Sequence, residues 1–108
     1  MSSVEWRPAS SFSAGCPVGV AYKACIRALA GMPSIDVGNI DENALSIEAS
    51  VKRTLWSPGE ELRILVRQGD DAETLVEVSR DAANQSKDRR NYDDLECAVR
   101  CQISRLTI

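Results

Sequence analysis

The chain contains no histidine. Imidazole is the usual base that activates a serine or cysteine nucleophile, so Ser-His-Asp and Cys-His machinery is excluded within this chain. Zinc, haem and non-haem iron sites that depend on histidine are excluded with it. Long apolar runs are also missing: nothing approaches the ~18 consecutive apolar residues of a membrane span. A charge excess is absent too. Thirteen basic and sixteen acidic residues leave a net charge of −3, which gives no long-range attraction to nucleic acid or to an anionic membrane. The densest basic run, Arg89-Arg90, sits between Asp88 and Asp93-Asp94 and reads as solvated mixed charge. The six glycines are isolated turn residues, so no phosphate-cradling loop exists. The opening MSSVEWRPASSFSAG has no basic segment leading into an apolar one. No secretory signal is expected from it, and the expected compartment is the cytoplasm, where cysteines stay reduced.

What is present suffices for one core. The chain has 108 residues, 44% hydrophobic and 27% charged, the profile of a single globular domain. Val4–Arg7 alternates weakly and reads as a short strand ended by Pro8, followed by a loop from Ser10 to Gly15. Pro17 suits a first helical turn. From there Val18, Tyr22, Cys25, Leu29 and Met32 form one stripe at helical spacing, closed by Gly31 and Pro33. Ile35-Asp36-Val37 reads as a short strand before a turn at Gly38-Asn39.

Three alternating segments follow. Leu45, Ile47, Ala49 and Val51 define the apolar side of one strand, Leu62, Ile64 and Val66 that of the next, and Val76 and Val78 that of the last. A turn about Pro58-Gly59 would set Val51 opposite Val66. A turn about Asp70-Asp71 would set Val66 opposite Val76 and Ile64 opposite Val78. Residues 81–87 read as a loop. Tyr92, Leu95, Val99, Ile103 and Leu106 then stripe a second helix, with Asp93, Asp94 and Glu96 at its start and Arg100 and Arg105 near its end, as the helix dipole favours. The expected fold is an α+β two-layer sandwich: strand, helix, three or four antiparallel strands, helix, with both helices on one face of the sheet.

The polar residues offer little chemistry. Asp70-Asp71, Asp93-Asp94 and Glu60-Glu61 are neighbours in sequence and point apart, so they suit turns and helix starts better than a matched acid-base pair. Cys25 falls in the first helix's apolar stripe and reads as a small buried hydrophobe. Cys16 precedes a helix N-terminus, a position that can lower a thiol pKa. Cys97 and Cys101 are unusual, because they lie about 160–200° around the helix from its core stripe and share that outward side with Ile108. Three readings stand: a protein partner, a second copy foremost, covers them; the helix is tilted so that the monomer partly buries them; or they serve metal or redox chemistry. The four cysteines do not have the spacing of a zinc site. An intrahelical disulfide is disfavoured because Cβ atoms four apart sit ~5–6 Å from each other, whereas a disulfide wants about 3.8 Å.

The second candidate surface is the outer sheet face. There Trp56, Leu65 and Leu75 are set among Arg63 and Arg67, with Leu65 expected between Lys52 and Glu77, and Arg67 opposite Leu75 and Ser50. Arg and Trp are favoured anchors of interfaces, although cross-strand charge pairing accounts for such a face as well. The expectation is a non-enzymatic binding or assembly module without cofactor, forming a homodimer or meeting another protein. The alternative is a small-molecule binder or minor enzyme, with a site between helices and sheet lined by Tyr22, Trp6 or Trp56.

The element order and the segment Val18-Gly-Val-Ala-Tyr22-Lys-Ala-Cys25, followed by the meander Leu45–Ser79 and the closing helix Tyr92–Leu106, resemble the small bacterial domains of the outer-membrane assembly lipoprotein BamC and related domains. That resemblance implies a helix-grip or TATA-binding-protein-like sandwich used for binding, and it implies no catalytic residue.

Overall fold

Alternating side chains build a five-stranded sheet, and the two striped helices cover one side of it. The computed structural model describes residues 5–52, 59–81 and 90–107, with the side chains of all of these except Asp71 and Arg90. The elements run β1 (Trp6–Ser13), α1 (Val18–Ala30), β2 (Ile35–Asp41), β3 (Ser46–Val51), β4 (Glu60–Gln68), β5 (Thr74–Asp81) and α2 (Arg90–Leu106). All neighbouring strands are antiparallel, in the order β1-β5-β4-β3-β2. The architecture is the expected α+β sandwich, and the meander contains four strands.

The core lies between helices and sheet. Ile47, Ala49, Leu62, Ile64, Val66, Val76 and Val78 are buried from the sheet, and Ala21, Tyr22, Ala24, Cys25, Ala28 and Leu29 from α1. The alanines let α1 approach closely, and α1 packs on β2, β4 and β5 as well as on α2. From α2, Tyr92, Leu95 and Val99 are buried. Phe12 pairs with inward-facing Val76, and the Arg100 guanidinium lies 5.2 Å from its ring centroid. This contact places α2 over β1, on the same sheet face as α1. Two polar ties fasten the layers. The buried Tyr22 hydroxyl donates to the Ser46 carbonyl at 3.1 Å. The Tyr92 hydroxyl donates to Glu60 Oε2 at 3.3 Å, with Arg80 as a further hydrogen-bond partner.

Local chemistry moves several expected boundaries. β1 runs to Ser13, well past Pro8, and takes up the segment expected as a loop. An edge strand tolerates a missing N–H, and a bulge between Pro8 and Ser10 absorbs the irregularity. The loop closes instead at Gly15, whose φ of +68° is a left-handed conformation open to glycine. Gly38-Asn39 is no turn but a bulge inside β2, between Val37 and Ile40. The true turn follows at Asp41, whose Oδ1 accepts from the Asn43 and Ala44 amides at 3.1 and 3.2 Å.

The β4–β5 register matches expectation, with Val66 opposite Val76 and Ile64 opposite Val78. The β3–β4 register does not. Ile47 faces Ile64, Ala49 faces Leu62 and Val51 faces Glu60, which is not the pairing expected from a turn about Pro58-Gly59. The ladder is offset by six residues from the expected pairing. An even offset keeps every side chain on its own face, which is why periodicity could not separate the two registers.

Candidate interaction surfaces

α2 positions the first candidate surface. Tyr92, Leu95 and Val99 fix its inner side, and at about 100° per residue Cys97 and Cys101 then point directly away from the sheet. Both are exposed free thiols, which removes the reading of a tilted helix that buries them within the monomer. Around them Asp93, Asp94, Arg100, Ser104 and Arg105 are exposed. Arg100 is engaged within its own chain: Nε donates to Glu96 Oε2 at 3.1 Å, and its plane covers Phe12. Ile108, expected on the same side, lies outside the described residues.

The other two cysteines differ. Cys25 is fully buried in α1, and burial, reinforced by nearby Cys16, pushes its thiol up to about 12. Cys16 is half-buried ahead of Pro17, and burial raises its pKa. The direction is opposite to the lowering that a helix N-terminus can give, because burial disfavours the charged thiolate.

The open sheet face is the second candidate. Arg63, Leu65, Arg67 and Leu75 all lie on it, as expected, while Trp56 lies outside the described residues. The corrected register changes their neighbours: Leu65 lies between Ser46 and Glu77, not beside Lys52, and Ser50 faces Glu61, not Arg67. Arg67 reaches diagonally to Glu77, with Nη2 at 2.7 Å and Nε at 2.8 Å from the same carboxylate oxygen. The Ser50 hydroxyl lies 2.9 Å from both Glu61 oxygens. Leu65 and Leu75 are half-buried. Leu75 leans against Gly69, where an added Cβ would come within 2.7 Å of its Cδ1. Much of this face is thus paired within the chain.

The third arrangement, a site between helices and sheet, is occupied among the described residues by buried apolar side chains. Tyr22 is committed to the Ser46 carbonyl. Trp6 pairs with Asp81, which by alternation from Leu75 and Glu77 lies on the open side. Among the described residues the surface carries open grooves, one at Pro17, Gly19, Val20, Lys23 and Leu106 between the two helices and one along the β1 bulge. Among the described residues, no three cysteine or carboxylate side chains converge where they could hold a metal ion, and no helix is long and apolar enough to cross a membrane. Comparison with protein-family models and with curated proteins finds no match.

Proposed function

We propose that the protein is a non-enzymatic binding and assembly module that associates with a second copy of itself through the outer face of α2. The observation that carries this reading is the pair of exposed thiols at the centre of that face. Cysteine is among the most buried residue types, and two of them side by side on an otherwise polar helix surface mark an area that a partner shields. The sheet face supports the reading less well, because Arg67, Ser50, Glu61 and Glu77 are already engaged within the chain. The resemblance to BamC-like domains, whose sandwich serves binding, favours the same class. Reduced thiols of this kind suit the cytoplasm.

Light scattering or sedimentation on the reduced protein at ~100 µM tests the proposal, a range where an affinity of about 10 µM or tighter gives mostly dimer. A mass near twice 11.8 kDa is expected. A strict monomer overturns it.

A further inference from the structure

The outer face of α2 complements itself in one orientation only. Centred on the midpoint of Cys97 and Cys101, it carries Asp94 one turn before the thiols and Arg105 one turn after them, all exposed. At about 100° per residue, Asp94 and Arg105 fall on the same side of the line through the two cysteines, and Asp93 and Ser104 on the other. A two-fold axis through that midpoint, perpendicular to the helix, lays a second α2 antiparallel on the first. Asp94 then meets Arg105 of the second copy, Asp93 meets its Ser104, and each Cys97 meets a Cys101, every contact occurring twice. A parallel pairing instead sets Asp94 against Asp93 of the second copy and leaves Arg105 against its Ser104, so four carboxylates crowd together with no arginine opposite, which like-charge repulsion disfavours.

We infer that two copies of the chain pair their α2 helices antiparallel across this face, and that the dimer is locked covalently by two Cys97–Cys101 bonds between copies when small disulfides such as oxidised glutathione accumulate. This rests on the self-association proposed above and adds its register and its redox response.

The geometry permits the bonds. Packed helices lie ~8–10 Å apart, and Cα atoms sit ~2.3 Å from each axis. Facing Cα atoms are then separated by about 3.4–5.4 Å, overlapping the ~4.4–6.8 Å that a disulfide spans. Within one helix the same two thiols are poorly placed to bridge, so oxidation is directed between copies. The Cys97 thiolate attacks one sulfur of oxidised glutathione, forming a mixed disulfide and expelling one glutathione thiolate. The Cys101 thiolate of the second copy attacks the Cys97 sulfur and expels the other glutathione. Two protein thiols are oxidised, one oxidised glutathione is reduced to two glutathione thiols, and the protons pass to water and the released thiolates. The second bond forms identically.

Two measurements test this. Under reducing conditions, Asp94→Arg turns two attractions into two repulsions and should weaken dimerisation about tenfold, as should Arg105→Asp, while the double exchange restores it. Dimerisation unmoved by either single exchange overturns the register and leaves self-association standing, whereas a wild-type monomer removes both. Incubation with oxidised glutathione, followed by non-reducing electrophoresis and peptide mapping, should show Cys97–Cys101 links between copies. Cys97→Ser and Cys101→Ser should each abolish the covalent dimer, because each leaves the surviving thiols facing serine. A covalent dimer that persists in either single variant, or maps to Cys97–Cys97 or Cys101–Cys101, overturns the antiparallel arrangement.

Discussion

Adjacent residues of β4 should differ sharply in their effect on stability. Ile64 is fully buried, flanked by Ile47 on β3 and Val78 on β5, beneath the helices. Leu65, its neighbour, is half-buried on the open face beside Glu77. Truncating Ile64 to alanine removes three carbons from the core. At ~0.8 kcal/mol each this costs about 2.4 kcal/mol of transfer free energy, and the incompletely collapsed cavity adds about 1 kcal/mol. The sum, about 3.5 kcal/mol, is a large fraction of the ~5–15 kcal/mol by which domains of this size are stable, and lowers Tm on the order of 12–20 °C. Leu65→Ala removes the same number of carbons from a surface already half in water, and should cost below about 1 kcal/mol. Urea unfolding of the two variants, followed by far-UV circular dichroism and compared at unchanged m-value, measures the difference. Equal losses, or a larger loss for Leu65→Ala, would refute the assignment of faces and with it the placement of both helices.

Other outcomes follow from single contacts. Tyr22→Phe removes the hydrogen bond to the Ser46 carbonyl and leaves that acceptor without it, so denaturant unfolding should show a loss of about 1–1.5 kcal/mol. Gly15→Ala places a side chain at φ +68° in open space; the strain alone should cost about 1 kcal/mol, read by thermal unfolding. Under native conditions at pH 8, in protein dilute enough to be monomeric, iodoacetamide should label Cys97 and Cys101 quickly and Cys25 only after unfolding, whereas protein concentrated enough to dimerise should protect the first two, as peptide mass mapping can follow. Stability should also fall in alkali. Cys25 holds its proton to about 12 in the folded chain against an ordinary value of 9.0, so above pH 9 the unfolded chain binds fewer protons and unfolding is favoured progressively until pH 12. The slope reaches about 1.4 kcal/mol per pH unit. Tyr22 and Tyr92, also raised by burial, add the same sign above their ordinary 10.0, and Cys25→Ala should remove its own share of the slope that begins near pH 9, leaving that of Cys16, which burial also raises.

The sandwich was legible because two periods dominate this sequence. Tyr22, Cys25 and Leu29 repeat at helical spacing, and Ile47, Ala49, Leu62, Ile64, Val76 and Val78 at strand spacing, and each set became one side of a single core. What escaped was whatever periodicity cannot see. The β3–β4 pairing differs by six residues, an offset to which alternation is blind. The length of β1 was hidden because Pro8 signals an end in most strands and is tolerated at an edge with a bulge. Gly38-Asn39 looked like a turn because its composition is that of a turn; only the pairing of Ile40 with Ile47 shows the strand continuing. The outward position of Cys97 and Cys101 was legible, being a matter of helical angle. The internal pairing of Arg67 with Glu77 was not, since it runs diagonally between strands and depends on side-chain reach. The raised pKa of Cys16 was also hidden, because it depends on how deeply the folded chain covers that thiol.

The pairing of β1 with β5 has a consequence for how the molecule comes into being. Trp6 lies beside Asp81 and Phe12 beside Val76, so β1, synthesised ahead of the other described strands, finds its strand neighbour among them in the last one made. A nascent chain that has emerged as far as Val51 can form α1 and the β2–β3 hairpin, but it has nowhere to dock Phe12. Sheet closure waits on synthesis of β5, and until then an unclaimed edge is presented to whatever else is in the cell.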